Sequence, residues 1–463
     1  MIRNYSPVKN IVFSVLIIFV SSVIYGQRTF HLAFGGASMD KCNSVYYDGD
    51  NLVLIAGETA SFDTKEKSIL LISADTNGIV KWSKVYEYKF YQMPNAVLRA
   101  KDGGFLIVGE MYPKSGPAEL GFMMKLDIDG NFIWEKTYDN GGNMAEALSA
   151  RSTKEGGVVF VGRAEETIAS TQSFFPMNSE KRFMYVVKSD ENGNVIWSRK
   201  YSSGNQIRLS RANDVLPLNS GGYIVVGEYN KRENPHDLDI SVVRLSESGE
   251  VISAIRLGGE LADAATNAVQ ASDGSYFIAG ETFSYGARGS DIILMKYNLK
   301  DELLWSRLIG RSGSDKINSM RVADDNNILI IGNTTDPETL DTDMLLLKIS
   351  SQGKLLWANS YGNNGLDVGV DVIETENNFL IGGNIMSHKK GNMDISFVKS
   401  DIGGKTKCSS IIDKVSVKDV LVDRKDVKEK ILAEEIIEST SQEGQIIELK
   451  VKSIKIEKTL TCN

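Results

Sequence analysis

Four glutamates, Glu58, Glu110, Glu228 and Glu281, each follow a glycine at the end of an apolar run: LVLIAGE, FLIVGE, YIVVGE and YFIAGE. Four aspartates, Asp40, Asp263, Asp315 and Asp367, stand some way ahead of runs of this kind, with Glu146 near the same place. Carboxylates can move protons, hold cations or accept hydrogen bonds from sugar hydroxyls. Brought to one face, the two series would form a partial ring able to do the last two. The opposing reading is structural. A carboxylate at a strand end accepts backbone hydrogen bonds or pairs with a basic neighbour, and aspartate before a strand is an ordinary turn former. A catalytic pair needs unlike environments that push its two pKa values apart, whereas a repeated position supplies like ones.

Other chemistry is thinner. LDIDGN, with Asp127 to Asn131, looks like the head of a calcium loop, but the glutamate expected at loop position 12 is Tyr138. The cognate stretches ADTNG, SDENG, LSESG and SSQG keep the turn but not the acidic spacing. Three cysteines (Cys42, Cys408, Cys462) and three histidines (His31, His236, His388) lie far apart, without zinc spacing. No GxSxG elbow and no Walker-type phosphate loop occurs. Net charge is -8, with no basic run carrying interleaved aromatics, which argues against nucleic acid as a partner.

The chemistry-bearing residues recur because the chain does. The strand-end glycines are Gly57, Gly109, Gly162, Gly227, Gly280, Gly332 and Gly383. After them come Glu58, Glu110, Arg163, Glu228, Glu281, Asn333 and Asn384, so Arg163 breaks the acidic series. A second apolar run follows each glycine and ends in Ser73, Lys125, Lys188, Arg244, Lys296, Lys348 or Lys399. After a turn, all five tryptophans (Trp82, Trp134, Trp197, Trp305, Trp357) fall at one repeat position, with Ser253 in the fourth copy and Phe30 ahead of the first. Each unit reads as four short strands rich in Val, Ile, Leu, Phe and Tyr. Asn-Gly and Asp-Gly at residues 77–78, 129–130 and 192–193 mark hairpins. Four strands in about 50 residues, seven times over, predict an all-β, seven-bladed β-propeller of four-stranded blades. The tryptophans and basic residues then read as packing between blades and as stems laid along blade faces with wet charges.

The units, with DGGFLIVGE, MMKLDIDG and IWEKTY as the second copy's fragments, resemble the secreted bacterial β-propeller repeat family over about residues 29–404. That likeness implies a propeller in an exported protein and no common chemistry. A more distant similarity to quinoprotein dehydrogenase propellers implies outer-strand tryptophans docking adjacent blades. The adjacent cysteine pair of those enzymes is missing, and their calcium-binding set cannot be picked out.

The last unit lacks a Trp strand after Asp401, and a spare one stands at the N-terminus. Residues 29–35 are therefore expected to close the seventh blade, with KTKCSSI as the rival. Residues 1–26 read as a signal peptide: Arg3 and Lys9 precede an apolar run from Ile11 to Tyr25, with a retained anchor as the alternative. The propeller is assigned to 27–404 and a small appended segment to 405–463. IIELKVKSIKIEKTLTC reads as one strand or a hairpin, and the segment as a possible sorting tail. Export permits disulfides, and Cys408 with Cys462 is the natural pair, leaving Cys42 free and buried; three unpaired thiols is the other reading.

The expectation is a secreted or surface-exposed bacterial binding or interaction module, monomeric and without its own catalysis, cofactor or metal. Its partner would be a protein or glycan, bound on the face carrying Asp40, Glu58, Glu110, Arg163, Glu228, Asp263, Glu281, Asp315 and Asp367. The alternatives are an enzyme using the central cavity, carbohydrate-active or quinoprotein-like, and a structural envelope component.

Overall fold

The computed structural model describes residues 29–88, 90–113, 119–141, 143–168, 179–203, 210–230, 238–286, 289–386, 392–412, 414–426, 431–435, 442–443, 450–455 and 457–461. The expected signal segment and the insertion around Phe174–Pro176 lie outside them.

The described residues form seven antiparallel blades around an axis and contain no helix. Blades 1 to 6 run Asp40–Glu87, Tyr91–Tyr138, Ser149–Ser203, Ser210–Leu257, Asp263–Gly310 and Ser314–Tyr361. Each holds an inner, second, third and outer strand in chain order. Second and third strands are apolar along most of their central length because both faces are covered. Val53–Thr59 and Ser68–Ala74 are buried at every position. The outer strand Val80–Glu87 is only partly buried.

Blade 7 takes its first three strands from Val368–Asp401 and its outer strand from Phe30–Gly35. The register sets Phe30 opposite Lys399 and Phe34 opposite Ile395. Phe30 thus faces Lys399 as Trp134 faces Lys125. KTKCSSI does not close this blade: its Ser409–Ile411 pairs with the outer strand of blade 6.

A single blade cannot bury two apolar faces, and the ring solves this with seven hydrophobic clusters, one at each blade junction. A repeated clamp fixes each junction. Trp82, Trp134, Trp197, Trp305 and Trp357 lie against Gly130, Gly193, Gly249, Gly353 and Gly404, the hairpin glycines of the next blade. Those glycines have φ between 71° and 80°, and an added Cβ would strike the indole, or Arg307 beside it at Gly353. Four residues beyond the tryptophan a tyrosine often completes the clamp. Tyr86, Tyr138 and Tyr201 donate to the carbonyls of Gly130, Gly193 and Gly249 at 2.5, 2.8 and 2.7 Å, and Tyr361 likewise to Gly404. Where Ser253 replaces the tryptophan, the facing hairpin has Asp301 at φ 61° instead of glycine. There Arg244 pairs with Asp301 at 2.6 Å, and Tyr276 donates to it at 2.9 Å.

Residues 405–463, read from sequence as a small appended segment, are built into every blade. Ser409–Ile411, Ser416–Asp419, Arg424–Asp426, Ile431–Glu435, Gln442–Glu443, Lys450–Ser453 and Glu457–Leu460 add a fifth, outermost strand to blades 6, 5, 4, 3, 2, 1 and 7 in turn. The tail circles the whole ring against the blade order. It pairs outer edges that would otherwise expose a row of backbone donors and acceptors. Val422 enters the cluster between blades 4 and 5, with Val420 packed against it, while Ile412, Val415 and Val417 pack against the cluster between blades 5 and 6. The stretch near the C-terminus forms neither the single strand nor the hairpin expected of it. Its two strands pair with blade 1 at Lys84–Glu87 and blade 7 at Leu32–Gly35, because each is drawn to a separate open edge.

Trp134→Ala is expected to cost about 3 kcal/mol, the low end for a large aromatic since the ring is only partly buried. Ser253→Ala is expected to be nearly neutral. Ser253→Trp added to Asp301→Gly should raise the denaturation midpoint above that of Asp301→Gly alone. Chemical denaturation of the four variants checks this.

Candidate functional site

The inner strands wall the axis. In six of them a β-bulge falls at one repeat position, and its extra residue is Asn43, Asn95, Asn213, Thr266, Asn318 or Val370. A bulge leaves one residue outside the ladder and re-aims its side chain. Three of the asparagines use this to stitch blades together. Asn95, Asn213 and Asn318 donate to the carbonyls of Ala147, Ala265 and Gly369 on the next blade at 2.9, 2.8 and 2.7 Å. Asn384 does the same from blade 7, donating to the Cys42 carbonyl at 3.1 Å and accepting from its N–H at 2.7 Å.

One step beyond the bulge lies a charged device that occurs twice. Ser149 Oγ donates to Asp214 at 2.6 Å, and Arg151 Nη2 lies 2.8 Å from the same carboxylate. Ser319 Oγ donates to Asp371 at 2.9 Å, while Arg321 grips it side-on through Nε and Nη2 at 3.2 and 2.8 Å. Each serine–arginine pair lies on one blade and its aspartate on the next. These residues, with Tyr46 and Arg99, line an axial cavity of about 990 Å3 to which all seven inner strands contribute.

The Asp and Glu series sit together at one end of the blades, where Asp40 pairs with Thr59 and Lys41 with Glu58. Their side chains are engaged locally. Asp40, Asp263, Asp315 and Asp367 each accept the backbone N–H four residues earlier, from Gly36, Gly259, Arg311 and Asn363 at 2.7, 2.9, 2.6 and 2.5 Å. Each holds the turn entering its blade. Glu58 accepts from the Tyr91 hydroxyl and lies 3.5 Å from Lys67. Glu281 lies 3.6 Å from Lys316 of the next blade. Glu228 is half-buried and stands opposite Arg211 in the ladder.

Glu110 and Arg163 belong to something denser, at the junction of blades 2 and 3. Glu110 accepts from Asn95 at 3.1 Å and Tyr112 at 2.8 Å, with the Glu119 carboxyl close by. The Glu119 carboxyl also lies near Glu146. Arg163 contacts Glu146, lies 3.8 Å from Glu119 and 3.3 Å from Glu165, and Arg211 reaches Glu146 at 3.3 Å. Glu110, Glu119 and Glu146 are all buried. Burial, reinforced by neighbouring carboxylates, pushes Glu110 up to about 8. Burial raises Glu146 to about 7 against the pull of Arg211 and Arg163. Arg163 breaks the repeat because three carboxylates meet there and need a cation.

Asp127 holds LDIDGN as a plain turn, as read from the sequence. Its Oδ1 accepts the N–H groups of Asp129 and Asn131 at 2.9 and 2.7 Å. Among the described residues no group of three His, Cys, Asp or Glu is arranged for a metal ion. His31 is buried against Ser396 Oγ at 2.8 Å, and burial lowers it to about 4. His236 and His388 lie outside the described residues. Cys42 is a free, buried thiol and Cys408 is disulfide-bonded, while Cys462 lies outside the described residues.

Glu119, Arg151, Asp214, Arg321 and Asp371 escaped the sequence reading. The signal available was the shared Ser-x-Arg at Ser149–Arg151 and Ser319–Arg321, both arginines eleven residues before the strand glycines Gly162 and Gly332.

The glutamate cluster predicts a pH response. Glu110 holds its proton from its ordinary 4.5 up to about 8 in the folded state, so the native protein binds more protons than the unfolded chain across that window. Stability is therefore expected to fall as pH rises from 5 to 9. Glu110→Gln, which keeps a neutral group there, should flatten the fall by several degrees of melting temperature in scanning calorimetry.

No known protein family matches this chain, and no curated protein does. Among solved structures, it is similar to a protein of unknown function from Bacteroides caccae, at 14% identity and a TM-score of 0.40, covering 72% of this chain and 93% of that one.

Proposed function

We propose that the propeller is a binding module without chemistry of its own, and that its ligand, a polar molecule or a glycan chain, occupies the axial cavity. The carrying observation is convergence. All seven inner strands contribute to one cavity of about 990 Å3, within the size range of small-ligand sites, and its wall mixes hydroxyls, amides and charges. The signal-like N-terminus supports export to the surface or exterior of a bacterial cell. The repeat grammar supports kinship with the secreted bacterial propeller repeats, and the acidic net charge of -8 favours partners other than nucleic acid.

A second reading is favoured by Glu110 and Glu146, whose raised pKa values suit acid–base work near neutral pH. Geometry weighs against glycoside hydrolysis. Paired glycosidase carboxylates must flank a bound scissile bond, whereas Glu110 and Glu146 are buried, are held by Asn95, Tyr112, Arg163 and Arg211, and do not line the cavity.

The test is a thermal-shift screen of the secreted protein against saccharide and peptide libraries, with product analysis of each hit. A true ligand at about 100 times its Kd should add about 2.7 kcal/mol of stability. Asn267→Leu, in the cavity wall, should abolish the shift. Release of a cleaved product would move the assignment to an enzyme.

A further inference from the structure

We infer that the cavity selects a saccharide bearing a carboxylate, which rests on the binding reading above and narrows it. The described charges on the cavity wall are three guanidiniums, Arg99, Arg151 and Arg321, against two carboxylates, Asp214 and Asp371, so the wall is one positive charge in excess in a chain of net charge -8. Both carboxylates are already satisfied, each by a serine and an arginine. Arg151 is engaged too, by Ser149, the Ala150 carbonyl and Asp214, but Arg321 and Arg99 keep free donors. Arg321 spends Nε and Nη2 on Asp371, and its Nη1 has no hydrogen bond among the described residues. Its side chain keeps 46% of its exposure, though it lies on the cavity wall.

Arg99 sits over the Phe105 ring at 5.0 Å, and among the described residues it enters no ion pair and its Nη1 has no partner. Blade 1 adds Asn43, Ser44 and Tyr46, whose side chains make no hydrogen bond among the described residues. They supply the neutral donors and acceptors that sugar hydroxyls require. A planar carboxylate suits a guanidinium edge, and hydroxyls suit the amide and hydroxyl wall.

Titration calorimetry of the mature protein with a trigalacturonide, its carboxyl-reduced neutral counterpart and a sulfated trisaccharide decides the matter. The trigalacturonide is expected to bind at least about tenfold tighter than the neutral sugar, as one charged hydrogen bond warrants, and to weaken with added salt. Arg321→Gln should lose about tenfold in affinity. Because Arg321 also clamps Asp371, Arg99→Gln, which breaks no ion pair among the described residues, serves as the second variant and should weaken the same ligand. Equal binding of the neutral sugar overturns this inference and leaves the binding module standing. Preference for sulfate overturns the carboxylate. Failure of all three sugars, with a peptide hit in the screen, overturns the saccharide alone.

A separate observation carries a second inference: we propose that Cys408 bonds Cys462 and turns the circling tail into a covalent hoop. Cys408 is disulfide-bonded and Cys42 is free. Cys408 directly precedes the tail strand on blade 6. Thr461, at the far end of the circuit, donates its N–H and Oγ to the His31 carbonyl at 3.0 Å in blade 7. The tail thus begins and finishes at neighbouring blades after a full turn. Peptide mapping without reduction should yield a linked 408–462 pair, and Cys408→Ser should let a protease strip the tail while the seven blades persist. A free Cys462 thiol, or a link between two chains, overturns the hoop.

Discussion

The ring depends on one contact made repeatedly: an indole of one blade seated on the left-handed glycine of the next blade's hairpin. The glycine is needed twice over. Its positive φ turns the hairpin, and its missing side chain leaves the flat surface that the indole covers. Where present, the tyrosine four residues on donates to that same glycine's carbonyl, fixing the angle between blades as well as their separation. The fourth junction shows that the two partners act as a unit. Loss of the indole at Ser253 goes with loss of the glycine at Asp301, and an ion pair takes over.

This explains what could be read in advance. A glycine that must stay glycine and an aromatic that must stay large leave a visible period, and so the blades and their closure by Phe30–Gly35 followed from the sequence. The tail strands carried no such mark. They are two to five residues long and edge-paired, and the backbone bonds that define them tolerate almost any side chain. Their pairing is set by the edge they meet, not by their own pattern.

The axis was least legible, for the opposite reason. Inner-strand side chains differ from blade to blade, and a ligand-sized space needs that asymmetry. Arg151 and Asp214 lie 63 residues apart and meet only because blades 3 and 4 are neighbours. The acidic series that did repeat turned out to hold turns and pair across strands, with Glu110 and Arg163 drawn into a buried network. Regularity along this chain marks scaffold, and the departures mark where the scaffold has been modified.

The circling tail bears on when the protein can become itself. Thr461 meets His31 across 430 residues, and the His31–Ser396 bond spans 365. Contacts this distant form slowly, because the entropy of joining the ends is lost before any pairing repays it. A chain made N-terminus first keeps its seventh blade open until Met393–Asp401 is available to pair with Phe30–Gly35, and its tail circuit unfinished until Glu457–Leu460 follows. The sequence order therefore acts as a timer. It postpones closure of the ring until most of the chain has been made.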